Sequence, residues 1–265
     1  MKIILIGAGN LATNLGKALL EAGNDILQVY SRTIESASEL AEKVGGSPIN
    51  DMEKVNSGAD VYIISVKDSV MPELIQVLCK GRENKVFLHT AGSVAANIFG
   101  GMAMHYGVLY PMQTFTKSRT VDFRQIPCFV EGNDELAFET VNSLAGSISD
   151  KVYILDSDVR KYLHLSAVFA CNFVNHCYEI SSEILSRYKI PFDVMLPLID
   201  ETARKVHDLS PLEAQTGPAV RYDKNVIRMQ SDMLKDNPLF RQIYECMSIS
   251  IHHAEERRTA RNDKL

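Results

Sequence analysis

The chain has 265 residues, 46% of them hydrophobic, and a formal net charge of −5 with both signs interspersed. This supplies enough apolar surface for one large core or two smaller ones, and it excludes a basic nucleic-acid-binding face. The five cysteines, Cys79, Cys128, Cys171, Cys177 and Cys246, show neither CxxC nor metal-ligand spacing, which predicts reduced thiols in a cytoplasmic setting and no metal centre.

The chain opens with "MKIILIGAGNLATNLG". Its apolar run is too short for a secretory signal, carries a lysine and leads into glycines, so it reads as a buried strand. "LATNLGKALLEAG" has apolar residues at helical spacing and stops at Gly23, a natural C-cap. "ILQVY" predicts a second strand, and "TIESASELAEKVGG" an amphipathic helix with Thr33 at its head and glycine at its end. "VYIISV", "KVFLHT", "YGVLYP", "PCFVEG" and "KVYILD" read as further strands, with the helix "DELAFETVNSLAG" between the last two. Alternating β and α units imply a parallel sheet with helices on both faces. Beyond Asp156 the strand punctuation ceases. "DVRKYLHLSAVFACNFVNHCYEISSEILSRYK", "PFDVMLPLIDETARKVHDL" and "PLFRQIYECMSISIHHAEERRTAR" all read as helix, with a Gly/Pro break at "TGPAVRYD". The expected fold class is therefore α/β: a doubly wound parallel sheet over residues 1–155, then an all-α domain over residues 156–265. No apolar run is long enough to span a bilayer.

Gly7-Ala8-Gly9-Asn10-Leu11-Ala12 fits G-x-G-x-x-G/A, the Rossmann dinucleotide fingerprint. The first glycine permits a tight turn, the second lets backbone approach a pyrophosphate, and the small third residue lets the helix pack close to the strand. Phosphate would sit on the N–H groups of Gly9, Asn10 and Leu11 at the helix start. The motif follows a strand, opens a helix and begins a βαβ unit, the context the fingerprint requires. At the end of the second strand, where an acidic residue would hold a ribose 2′-OH, the chain has Ser31-Arg32-Thr33. A planar guanidinium and two hydroxyls suit a 2′-phosphate, so NADP is the expected cofactor.

"IGAGNLATNLG", "YSRT", "ISVKDSVMPEL" and "LHTAGS" resemble the NADP-dependent reductases built like pyrroline-5-carboxylate reductase, ketopantoate reductase and 6-phosphogluconate dehydrogenase. "HTAGS", "YPMQTF", "YLHLSAVFACNF" and "LEAQTGPAVRYD" more closely resemble bacterial Rossmann-like proteins with a DUF2520 C-terminal domain. The resemblance implies an NADP oxidoreductase whose helical half is 6-phosphogluconate-dehydrogenase-like. It also matches Lys67 to a lysine of the related reductases. Relatives often have His where this chain has Tyr110, a departure from the pattern.

Ligands in such sheets bind beyond the carboxyl ends of the strands. That brings Val66 and Lys67 after one strand, and Thr90 and Gly92 after the next, beside the cofactor. His89 ends a buried strand and reads as structural. In the helical half, Lys161, His164, Val168, Asn172 and Asn175 form one stripe of a continuous helix. The catalytic candidates are Lys161 and His164 as alternative proton donors and Asn172 as an orienting group. On the resemblance, a Lys and an Asn on this helix face nicotinamide and substrate. The expected activity is hydride transfer between NADP(H) and a small carbonyl or imine. Its rivals are a non-catalytic NADP(H)-binding sensor or partner-docking protein and, more weakly, a domain for another nucleotide-like ligand. A small-molecule substrate and a homodimer through the C-terminal helices are the expected partners, without nucleic acid or membrane.

Overall fold

The computed structural model describes residues 1–262. It divides the chain into a first compact unit, Met1–Phe173, and a second that begins at Val174. The first unit holds one sheet of eight strands: β1 (Lys2–Ile6), β2 (Asp25–Tyr30), β3 (Ser47–Ile49), β4 (Val61–Ile64), β5 (Val86–His89), β6 (His105–Pro111), β7 (Cys128–Gly132) and β8 (Val152–Ile154). Their spatial order is β3-β2-β1-β4-β5-β6-β7-β8. The accompanying helices are α1 (Asn10–Glu21), α2 (Ile34–Val44), α3 (Met71–Cys79), α4 (Glu135–Ile148) and α5 (Ser157–Ala167).

Strands β4 and β5 are buried at every residue, and β1 at all but its first, as expected of a sheet covered on both faces. Side chains alternate between two cores. Ile3 and Leu5 pack with Leu15, Leu40 and Val141 from α1, α2 and α4. Ile4 and Ile6 pack with Tyr62, Phe87, Met71 and Ile75 on the other face. One pairing corrects the all-parallel expectation: β6 and β7 run antiparallel. The segment joining them contains only one short 3-10 turn, Phe123–Gln125, and no crossover helix to return the chain to the starting edge. β3 was not foreseen. It is three residues long and carries Pro48, which an edge strand tolerates because one of its sides needs no N–H donors.

The order places β1 between β2 and β4, so chain connections leave β1 in opposite directions and open a crevice at its carboxyl end. The last strand closes at Ile154, yet the first compact unit runs on to Phe173 because α5 is bonded to the sheet domain through Arg160 and His164. After α5 the helix widens into a π-helical segment, Val168–Phe173.

The second unit contains α6 (Val174–Ser186), α7 (Leu196–Asp208), α8 (Pro211–Ala214), α9 (Lys224–Met233) and α10 (Pro238–Asn262). Arg241 on α10 donates to Ser231 Oγ on α9 at 2.8 Å, and Ser231 Oγ donates to Glu245 of α10, holding these two helices together. Leu196, Leu198, Met229, Met233, Leu239 and Ile249 are exposed. Among the described residues no helix is long and apolar enough to cross a membrane.

Candidate dinucleotide and substrate site

Gly7 directly follows β1 and has φ +118°. A Cβ there would lie 2.3 Å from the Ser65 carbonyl oxygen at the end of β4. Only glycine allows that turn and that approach. Gly9 is different. It caps α1 in extended backbone, and a Cβ on it would meet nothing within 4 Å. No side chain caps the helix, so its leading N–H groups remain available to an anion. Ala12 is buried where α1 packs against the sheet.

Two clefts flank this turn. The first, of about 580 Å³, is lined by Gly7, Ala8, Gly9, Ser31, Arg32, Ser36, Val66, Lys67 and Glu73, among others. Arg32 is exposed and makes no ion pair among the described residues. Ser36 belongs to the first turn of α2 and receives a hydrogen bond from Thr33 Oγ1 at 2.9 Å. Thr33 thus supports a cleft hydroxyl rather than lining the cleft. Lys67 is exposed at the cleft mouth. Beside it, the Asp68 carboxylate takes the hydroxyl of Ser93.

The second cleft, of about 600 Å³, begins at Asn10 and Leu11 and continues past Tyr110, Gln113, Thr114 and Phe115 to His164, Cys171 and Asn172. Its loop wall is anchored. Asn14 Nδ2 donates to the Thr116 carbonyl at 3.3 Å, and Lys117 reaches Glu39 on α2 at 2.7 Å. Hydrogen bonds from Lys117 and Lys43 hold the Glu39 carboxyl down to about 2. On the helical wall, the π segment decides which residues converge. In a continuous α-helix Asn172 would sit about 80° from His164, eight residues at about 100° each. The wider π turn advances less per residue and returns Asn172 to the His164 face.

Beneath that face lies a polar cluster. Tyr110, 8% exposed, places its hydroxyl 3.0 Å from His164 Nδ1. Gly92 makes room for the pair: a Cβ there would come within 2.5 Å of His164 Nδ1 and 2.9 Å of the Tyr110 ring. Arg160, 1% exposed, pairs with Glu131 on β7 and donates to the Val94 carbonyl at 2.6 Å and to Ser157 Oγ at 3.0 Å. Burial raises Tyr110 above its ordinary value, partly offset by the Arg160 charge. His89 is fully buried, and its Nδ1 accepts from the Ala91 N–H at 3.2 Å. Burial, then the Arg160 charge, push it down to about 3, so it stays neutral and structural.

The structure therefore brings His164 and Asn172 together and leaves Lys161 apart. Lys161 is exposed and bonded to Asp158 at 2.9 Å, which raises its pKa. Thr90 lines neither cleft; its hydroxyl is spent on Ser65 Oγ at 3.0 Å. Gly92 backs His164 rather than facing the first cleft. Ser36, Gln113 and Tyr110 line the two clefts without being candidates in the sequence, and Arg160 lies beneath them, paired with Glu131. The replacement of histidine by Tyr110 was the one signal, since a phenol can take over a hydrogen bond from an imidazole.

Residues 2–93 match the family model described as NADP oxidoreductase coenzyme F420-dependent, and residues 126–251 match the domain of unknown function DUF2520. The crystal structure titled "putative NADP oxidoreductase BF3122", from Bacteroides fragilis, is 54% identical, with 95% of this chain and 98% of that chain covered and a TM-score of 0.92. An imine reductase from Myxococcus stipitatus in complex with NADP+ shares the fold at 16% identity, covering 97% of this chain and 94% of that chain with a TM-score of 0.64. A glutamyl-tRNA reductase from Methanococcoides burtonii is 31% identical over 32% of this chain, and the match spans about a fifth, 22%, of its own length. With a fingerprint turn between two clefts and a relative matched end to end, the chain belongs to the family of Rossmann-type NADP oxidoreductases that carry a DUF2520 domain.

Proposed function

We propose that the protein is an NADP(H)-dependent oxidoreductase that transfers a hydride between nicotinamide and a small carbonyl or imine substrate. The observation that carries this reading is the pair of clefts on either side of the Gly7–Gly9 turn. One presents Ser31, Arg32 and Ser36, a cation and two hydroxyls suited to a ribose 2′-phosphate. The other runs from Asn10 to His164 and Asn172, with room for a nicotinamide and a small substrate. The nicotinamide, when bound, supplies the hydride chemistry. Asn172 presents an amide able to orient the carboxamide or a substrate oxygen. That His164 and Asn172 line a cleft favours the enzyme over a non-catalytic sensor.

Fluorescence titration tests the cofactor. NADPH is expected to bind more tightly than NADH by about 1–3 kcal/mol for its charge-assisted contacts, and Arg32→Glu is expected to erase that preference. Equal affinities in the native protein, or a preference that survives Arg32→Glu, would overturn the assignment.

The proposal includes a homodimer through the C-terminal helices, supported by apolar side chains exposed on α7, α9 and α10. Light scattering at micromolar concentration is expected to give about twice 29.6 kDa; a species of 29.6 kDa alone would refute it. A reducing, cytoplasmic setting completes the reading and suits five unpaired cysteines.

A further inference from the structure

Hydride transfer to a carbonyl leaves charge on oxygen, and an acid must meet it within hydrogen-bond reach. Lys161 is turned to Asp158, so the titratable helix residues lining the second cleft are His164 and Cys171, and of these His164 is the one bonded to the Tyr110 hydroxyl. Its Nδ1 faces the Tyr110 hydroxyl at 3.0 Å, the one hydrogen bond of this ring among the described residues, and His164 lines the second cleft. Which ring nitrogen carries the proton is set by the partner of the other.

We propose that His164 and Tyr110 form a proton-delivering pair in which Tyr110 holds the imidazole with Nδ1 protonated and Nε2 directed at the substrate atom that accumulates charge. This rests on the oxidoreductase reading above. His164 is the catalytic residue; Tyr110 acts through it and is a positioning residue.

The step balances. As the carbonyl carbon accepts the hydride, the C=O π pair moves onto oxygen. The Nε2–H bond of the His164 imidazolium breaks, an O–H bond forms, and the ring is left neutral with its proton on Nδ1. Water then reprotonates Nε2. Throughout, Nδ1–H donates to the Tyr110 oxygen. Burial keeps the phenol protonated, so this acceptor is neutral and does not take the proton itself. Besides Cys171, which lines the same cleft, the charged and titratable groups around the pair are few. Tyr110 faces it from β6. Arg160, on the same helix as His164, is neutralised by Glu131 of β7, and Lys161 by Asp158. His89 of β5 is neutral. The Gly92 loop contributes backbone.

The closing experiment reads the tautomer directly. In protein labelled with 15N at histidine, the neutral form of His164, assigned by its loss in His164→Gln, is expected to carry its proton on Nδ1. Tyr110→Phe keeps the ring and removes only the hydroxyl, and it is expected to shift the population to Nε2–H. Gly92→Ala should do the same by forcing the imidazole off Tyr110. An Nε2–H form already dominant in the native protein, or a tautomer ratio unchanged in Tyr110→Phe, overturns the pairing. With a substrate found by screening NADPH oxidation, His164→Gln should lower kcat by roughly 10²–10⁴-fold and Tyr110→Phe by roughly tenfold, with KM and NADPH affinity retained. Unchanged kcat in His164→Gln overturns the acid role. Failure of the native protein to bind NADPH would instead sink the oxidoreductase reading, and the tautomer measurement stands apart from that outcome.

Discussion

Gly7→Ala is expected to destabilise the protein by about 2–6 kcal/mol, whereas Gly9→Ala, two residues away, folds normally and binds the cofactor more weakly. At Gly7 an alanine would be held at φ +118°, a region that side chains enter at about 1–3 kcal/mol. Its Cβ would also overlap the Ser65 carbonyl oxygen at 2.3 Å, and overpacking of this kind adds about 1–3 kcal/mol. That carbonyl ends a central strand whose Ser65 N–H is bonded to Ile6 at 2.8 Å, so the backbone has little freedom to move aside. At Gly9 the added methyl enters open space, and the change at the helix cap is worth about 1 kcal/mol or less. The space it enters is where a pyrophosphate would approach. A loss of roughly tenfold or more in NADPH affinity, about 1.4 kcal/mol, is expected. Urea denaturation and fluorescence titration of both variants separate the two glycines. Native stability in Gly7→Ala, or native NADPH affinity in Gly9→Ala, would contradict the assignment of roles.

A second large effect is expected from Arg160→Ala. The guanidinium joins three parts of the first unit: Glu131 on β7, the Val94 carbonyl after β5, and Ser157 at the start of α5. Ser157 in turn donates to Glu131 at 2.7 Å and accepts from the Ala96 N–H at 2.9 Å. Truncation leaves the Glu131 carboxylate, only 22% exposed, without its cation, and leaves the Val94 carbonyl unpaired. Breaking a buried pair from one side costs about 3–5 kcal/mol, and partial access of Glu131 to solvent argues for the lower end. The melting temperature should fall by on the order of 10 °C. Replacing both partners, in Arg160→Met with Glu131→Leu, removes the stranded charge and should recover most of the loss. A single variant that melts like the native protein, or a double variant no better than the single, would show that the network does not hold α5 to the sheet.

Elements whose information is local are legible in the chain. Strands β1, β4 and β5 are apolar runs because both their faces are covered, and the glycine turn is legible because it needs particular residues at particular spacings. Arg32 stands out as a candidate for a 2′-phosphate from its place after β2, and it lines the first cleft. The candidate stripe running from Lys161 to Asn172 assumes an unbroken α-helix, which the π segment interrupts. Asn172 lines the same cleft as His164 from within the π segment, which periodicity does not announce. Lys161, on the same presumed stripe, goes to Asp158 one turn away, a local ion pair that an exposed helix face offers at no desolvation cost. Tertiary packing brings the remaining candidate residues together. Tyr110, Gly92 and His164 come from β6, the loop after β5 and α5, and Arg160 finds Glu131 across 29 residues. Such contacts depend on strand order and on the packing of a helix against the sheet, which no single segment of the chain encodes.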